Sequence, residues 1–435
     1  MQLFERMEKM HNLGHINVKP NVRTYNAVID TIHRSPKGKP EQAEQFLFKL
    51  LKKFEEGDTE LQPETFTFNA AIHCFTKKKA SGYGERAVVI LEKMLHLHKR
   101  GIVTPDSRSF SHIIEHFSWR KDKGGPETAE RLLKTNINLF NEDKVHKRYN
   151  SRLKPTIFSF TSIMMGFART HEYAGERSEQ ILGLLNSVYE RSQFDPKLKP
   201  NAFVYNCILS AYSRSGELKA SAKRAEEILS LLEQKYKEGQ YDMRPNAKSY
   251  IFTMVCFAKS KEMGKARKAF NVLKKMKKQY ENGNESAQPN VQAYNALMNA
   301  VAFTNHEDME EEKESLDIAK IVMKELYESE YDNANSMTYG SLIKACGNLN
   351  LPKELIEDEV IKAFHRCGEE GQVNEYVLTQ LRYAIPKTLF QELVPMTTSN
   401  YMDKNSRWNS NVPASWSRNV PDKFLNDSKG GWWKT

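Results

Sequence analysis

The sequence predicts an all-α solenoid of stacked helix-turn-helix repeats, and three observations carry that expectation. First, a short signature recurs: proline, a polar residue, three further residues, an aromatic and then an apolar stripe. It reads PNVRTYNAVID at Pro20, PETFTFNAAIH at Pro63, PDSRSFSHIIE at Pro105 and PTIFSFTSIMM at Pro155. It continues as PNAFVYNCILS at Pro200, PNAKSYIFTMV at Pro245 and PNVQAYNALMN at Pro289, and an eighth copy, ANSMTYGSLIK, has Ala334 in place of proline. Second, the copies follow one another at intervals of 42 to 50 residues, and a fixed period of this size marks a repeat architecture. Third, apolar residues return at helical spacing inside each copy, as in Phe68, Ile72 and Phe75 or Tyr205, Leu209 and Tyr212. One helical hairpin cannot bury both of its apolar faces, so neighbours must stack.

Taken in order, residues 1–21 read as the second helix of a repeat whose first helix is missing, as in a fragment. With Glu5 and Glu8 this start does not resemble an acid-poor organelle presequence. Eight repeats then span 22–372. In each, the first helix opens after the proline, where Asn21, Asp106, Asn201 or Asn246 can cap the exposed amides. A turn rich in Gly, Pro or Lys follows, as in SPKGKP from Ser35, KDKGGP from Lys121 and HEYAGE from His171. The second helix carries small and large apolar residues, for example Ala87, Ile90, Leu91 and Met94, or Ala266, Ala269, Leu273 and Met276. Residues 373–395 read as closing helices. Beyond Pro395 the composition turns polar around Trp408, Trp416, Trp432 and Trp433, and 396–435 reads as a disordered tail able to dock on a protein partner.

Composition narrows the chemistry. The 435 residues hold 65 Lys+Arg against 55 Asp+Glu, a net charge of +10. Basic stretches at Lys77–Lys78–Lys79, at Lys144, Lys147, Arg148, Arg152 and Lys154, and from Lys259 to Lys278 contrast with an acidic run from Glu307 to Glu330. That asymmetry fits a polyanionic partner as well as solvated helix faces. No apolar run is long enough to span a bilayer. Cys74, Cys207, Cys256, Cys346 and Cys367 lie far apart without CxxC spacing, which argues against disulfides and structural zinc and for a reducing compartment. His11 and His15 lack a third ligand, and His96 and His98 read as a helix surface. Glu310, Glu311 and Glu312 read as a solvated charge run. There is no Gly-rich phosphate loop, deaminase signature or added catalytic domain. The expectation is a non-enzymatic protein without cofactor, small-molecule substrate or membrane.

TYNAVID, FVYNCIL and VQAYNALMN, each followed by an A-x-x-L helix, resemble pentatricopeptide repeats over about residues 1 to 385. The repeats are longer than the family's usual unit, with the surplus expected in the turns and second helices. The tetratricopeptide Trp and Gly-Tyr signature is absent. The resemblance implies a right-handed superhelical solenoid that binds single-stranded RNA in a mitochondrion or plastid. It also implies one base read per repeat by two side chains, one after the first-helix aromatic and one after the repeat-ending proline. Those pairs are Asn26 with Glu64, Asn69 with Asp106, Ser111 with Thr156, Thr161 with Asn201, and Asn206 with Asn246. Ile251 with Asn290, Asn295 with Asn335, and Gly340 with Gln372 complete the series. The implied site is ?-U-?-A-Y-?-Y-?, because Ile251 and Gly340 offer no hydrogen bond to a base. These side chains are expected on a concave, solvent-facing surface, with Phe66, Phe158 and Phe203 as stacking platforms. Helix capping accounts equally for the residue after each proline.

A second pattern is independent of capping. Eight residues beyond each first reading residue stand Arg34, Lys77, Trp119, Arg169, Arg214, Lys259, Phe303 and Asn348. Five of the eight are basic and fall at the end of the first helix, repeat after repeat, which suits contact with a phosphate backbone. The column lapses at Phe303 and Asn348, so the last two repeats are expected to bind RNA poorly. Two functions remain open from sequence: a sequence-selective single-stranded RNA binder, and a structural subunit of an organellar ribosome or other ribonucleoprotein.

Overall fold

A computed structural model of the chain describes residues 2–78, 80–122, 124–145, 151–170, 172–215, 218–304, 309–328, 333–394 and 412–425. Lys79, Lys147, Arg148, His171, Glu307, Glu330, Trp408, Trp432 and Trp433 lie outside that set, as does the side chain of Lys144. Among the described residues every regular element is helical, and the chain divides into two compact units, Met1–Pro200 and Asn201–Thr435.

In the first unit a single helix α1 (Gln2–Asn12) precedes four hairpins. These are α2 (Val22–Arg34) with α3 (Pro40–Glu55), α4 (Thr65–Thr76) with α5 (Tyr83–Lys99), α6 (Ser107–Ser118) with α7 (Gly124–Val145), and α8 (Ile157–Thr170) with α9 (Ala174–Arg191). The second unit holds α10 (Ala202–Arg214) with α11 (Leu218–Lys237), α12 (Ala247–Lys259) with α13 (Lys265–Glu281), and α14 (Val291–Ala302) with α15 (Met309–Glu328). It continues with α16 (Ser336–Asn348) and α17 (Lys353–Glu369), then α18 (Glu375–Ala384), α19 (Lys387–Leu393) and a final turn of helix, α20 (Asp422–Leu425). Within each unit a first helix packs on its own second helix and on the first helices before and after it. The first helices therefore need apolar residues on several sides. In α12, Tyr250, Met254, Val255, Cys256, Phe257 and Ala258 are all buried.

Helix starts follow from capping chemistry. Asn21, Asp106, Asn246 and Asn335 each accept the amide of the third helical residue, whose own hydroxyl accepts from the cap's backbone N–H, a reciprocal capping box. First helices keep to 12–14 residues while second helices reach 16–22, so the extra repeat length is carried by the second helix. A further part lies in short 3-10 turns before the next repeat, at Thr59–Leu61, Ser151–Leu153, Pro196–Leu198, Tyr241–Met243 and Glu285–Ala287. Each turn ends on a buried apolar residue (Leu61, Leu153, Leu198, Met243 or Ala287) two places before the repeat's proline. Burying such a leucine contributes about 2 kcal/mol and pins the chain at the repeat junction.

Two expectations change. Glu311 and Glu312 are buried rather than solvated. Glu311 accepts the Gly264 N–H at 2.7 Å and Glu312 the Asn350 N–H at 2.9 Å. Buried carboxylates need such partners, and orphan amides in the neighbouring turns supply them. The part of the tail that is described, 412–425, is docked rather than free of the repeats. Val373 donates its N–H to the Trp416 carbonyl at 2.8 Å, Asn419 N–H reaches the Gly371 carbonyl at 3.0 Å, and the Trp416 ring meets Phe364 edge-on at 5.5 Å. The open end of the last hairpin leaves apolar surface, and Trp416 covers it.

Candidate nucleic-acid interface

The reading residues stand near the start of each first helix, one place after the core aromatic. Tyr25, Phe68, Phe110, Phe160 and Tyr250 are fully buried, whereas Tyr205 is partly exposed. Four of the eight expected pairs are joined by a hydrogen bond across a repeat junction. Asn26 Nδ2 donates to Glu64 Oε2 at 2.9 Å, and Asn69 Nδ2 to Asp106 Oδ1 at 2.9 Å. Asn206 Nδ2 donates to Asn246 Oδ1 at 3.2 Å, and Asn295 Nδ2 to Asn335 Oδ1 at 3.3 Å.

In each of these four the other end of the first amide is also held. Its Oδ1 accepts a hydroxyl hydrogen from the next repeat: Thr67 at 2.6 Å, Ser109 at 2.7 Å, Ser249 at 2.7 Å and Thr338 at 2.7 Å. That hydroxyl belongs to the residue just before the next aromatic. At Ser109, Ser249 and Thr338 it completes the capping box as well. The cap residues and the expected reading residues therefore share one hydrogen-bond network. The fixed bonds settle the orientation of each amide, and its Nδ2 keeps a second N–H for another acceptor. Sequence reasoning passed over these hydroxyls, although a Ser or Thr precedes six of the eight first-helix aromatics.

The remaining pairs differ. No hydrogen bond joins Ser111 to Thr156, whose hydroxyl faces Ser159 Oγ at 3.2 Å. Thr161 is buried, and its hydroxyl donates back to the Ile157 and Phe158 carbonyls, both at 3.2 Å. Asn201 caps α10 by accepting the Val204 N–H, and Asn290 caps α14 by accepting the Ala293 N–H. Ile251 is buried, and where other repeats place a hydroxyl it is followed by Ala293. Gln372 accepts from the Ser336 N–H and hydroxyl at 3.3 and 3.2 Å. A side chain at Gly340 is excluded, because a Cβ there would fall 2.3 Å from the Tyr376 ring of α18. The expectation of a wholly solvent-facing surface is corrected: Thr161, Asn206 and Asn295 are 1, 6 and 6% exposed, because closely stacked helices cover much of that face. Phe66, Phe158 and Phe203 are 52, 46 and 57% exposed.

All eight column positions are exposed. Arg34 pairs with Asp30 at 2.8 Å. Three members reach back to a carbonyl at the end of the preceding first helix. Arg169 donates to Ser118 at 3.3 Å, Lys259 to Ser213 at 2.5 Å and Asn348 to Ala302 at 2.7 Å. Cations are favoured there by the helix dipole, so part of the column's regularity serves repeat stacking. Burial of the Lys259 ammonium lowers its pKa, while Cys256 opposes this and the neighbouring Arg214 charge lowers it further. At Phe303, where the column lapses in sequence, Lys344 lies over the ring, 3.7 Å from its centroid. The Arg169 guanidinium lies likewise over Trp119, at 4.1 Å. Among the described residues no group of three or more His, Cys, Asp or Glu is placed to hold a metal, and no helix is long and apolar enough to cross a membrane.

Comparison with known proteins adds a likeness over part of the chain. No curated protein matches the chain. Two similar solved structures are crystal structures of the pentatricopeptide repeat protein PPR10 in complex with an 18-nt psaJ RNA element, one of them of a triple cysteine-to-serine variant. Each is 17% identical with a TM-score of 0.35, over 86% of this chain and 50% of that chain. This chain thus spans about half the length of those it matches. The family model of the pentatricopeptide repeat domain matches residues 240–303, the stretch that holds α12, α13 and α14. Over that stretch the chain is similar to the pentatricopeptide repeat domain.

Proposed function

We propose that the chain is a sequence-selective single-stranded RNA-binding protein, non-enzymatic, that reads bases repeat by repeat in mitochondrial or plastid RNA metabolism. The observation that carries this reading is the recurrent two-sided clamp on Asn26, Asn69, Asn206 and Asn295. An amide held at both ends cannot rotate, so its remaining N–H presents a fixed hydrogen-bonding edge, as recognition of an unpaired base requires. The exposed basic column supplies the sequence-independent part of affinity. Asn26 with Glu64, Asn69 with Asp106, Asn206 with Asn246 and Asn295 with Asn335 are the assigned base readers. Ser111 with Thr156, Thr161 with Asn201, and Asn290 contribute less, because their geometry lacks the clamp. Arg34, Lys77, Arg169, Arg214 and Lys259 are the assigned phosphate contacts.

The reading is tested by selecting bound RNA from a random pool with the wild type and with Asn206→Ala. Loss of preference at a single base in the variant supports modular reading, and identical pools refute it. One observation favours a structural subunit of a ribonucleoprotein instead: Tyr376 occupies the reading position of the last repeat and Ile251 is buried in another. Under that reading the wild type selects no base at all.

A further inference from the structure

We propose that the first unit contains a nucleotide pocket, walled by Trp119, His73, His112, His116 and Lys77, that takes one base displaced from the reading track together with its phosphate. The ligand class rests on the RNA-binding reading above; the site itself does not.

The pocket lies between the C-terminal ends of α4 and α6 and the turns that follow them, and encloses about 760 Å³. Small-ligand sites fall in the range of about 300–1,000 Å³. One wall is aromatic and polar together. The His73 and His112 imidazoles stack with centroids 4.2 Å apart and planes 8° from parallel, and the His33 ring lies 4.4 Å from His73, tilted by 36°. His116 Nδ1 lies 3.2 Å from the Thr76 carbonyl. A carbonyl only accepts, so Nδ1 carries the hydrogen. Burial first, then neighbouring positive charge, keeps His73 down at about 4, and burial also lowers His112. At neutral pH the His73 and His112 imidazoles are therefore uncharged and can hydrogen-bond to the edge of a base.

The mouth supplies what a base and its phosphate need. Trp119 lines the pocket, is 52% exposed, and interrupts the basic column between Lys77 and Arg169. One indole face carries the Arg169 guanidinium, 4.1 Å from the ring centroid, so a base stacked on this indole would have that cation and Lys77 near its backbone. Of the three lining carboxylates, Glu85 and Asp122 share Arg120 at 2.5 and 2.8 Å, and Glu115 adds a further negative charge that Lys77 and Lys121 offset across the pocket. An apolar ligand would not need the cations, and free phosphate would not need the indole. A tethered nucleobase uses both.

The test uses the full chain and 2-aminopurine riboside monophosphate, whose fluorescence falls when it stacks. The wild type should quench it saturably, with AMP competing. Trp119→Ala should weaken binding at least about fivefold, from the loss of one stacking contact, while Trp119→Phe keeps it within about twofold. Thermal melts of both variants separate this effect from misfolding. Absence of quenching by the wild type, or equal binding by Trp119→Ala, overturns the pocket. A single-stranded RNA 20-mer is titrated in parallel. RNA binding without monophosphate binding removes the pocket alone, whereas the reverse removes the RNA reading and leaves the pocket standing.

Discussion

Ser249→Ala probes the clamp without touching a proposed base reader. The Ser249 hydroxyl is completely buried; it donates to Asn206 Oδ1 at 2.7 Å and accepts the Asn246 N–H at 3.1 Å. Removing it leaves Asn206 Oδ1, on a residue that is 6% exposed, without that donor. It also opens one side of the α12 capping box. An unsatisfied buried acceptor costs about 1–3 kcal/mol and a lost cap about 1 kcal/mol. The expected destabilisation is therefore about 2–4 kcal/mol, read by urea denaturation followed by circular dichroism. The Asn206 amide then turns more freely, so preference at its base should fall while other positions hold. Ser249→Thr should restore both properties, because Thr67 and Thr338 already serve this role in their repeats. Equal stability of the Ala and Thr variants, together with unchanged base selection, would refute the claim that these hydroxyls position the readers.

Changing Lys77 and Arg214 together to Ala should weaken RNA binding for every sequence and flatten the log–log salt dependence by about 1.4, or about 0.7 per phosphate contact. An unaltered slope in filter-binding titrations would remove those two from the phosphate column. The pH dependence of stability has a defined sign at His73, whose folded pKa of about 4 lies below its ordinary 6.5. Its contribution is present above pH 6.5 and is lost as pH falls toward 4, by up to about 3 kcal/mol. The groups responsible are its burial, His112, His33 and Lys77, and His73→Gln should flatten the wild-type decline in denaturation midpoints between pH 7 and 5. Gly340→Asn should lower the thermal midpoint rather than create a reader, because its Cβ meets Tyr376 at 2.3 Å; a stable variant with a newly selected base would show otherwise. Truncation after residue 411 should cost about 2 kcal/mol, less than a fully buried Trp, as Trp416 leaves Phe364 and the Val373 N–H loses its acceptor. An unchanged melting curve would place the docking energy elsewhere.

The period of the proline signature was enough by itself to set the number of hairpins, their order and the buried aromatics. A helix that must be apolar on the same face every repeat writes that need directly into composition. The two columns of candidate residues recur for the same reason, since stacking carries equivalent positions to equivalent places. Tertiary structure decided what those positions contact. Asn206 and Asn246 are 40 residues apart, and only the stacking of α10 and α12 shows that they bond and that Ser249 locks them. Gly340 reads from sequence as an empty position, yet it is filled by Tyr376. Glu311 and Glu312 read as a solvated run, yet amides in adjacent turns draw them inward, and Trp416 reads as part of a disordered tail although it covers the last hairpin. A local pattern reports which face a residue is on, because that depends on helical geometry alone. It cannot report which distant donor, ring or amide meets that face, because that depends on how the next repeat is set against it.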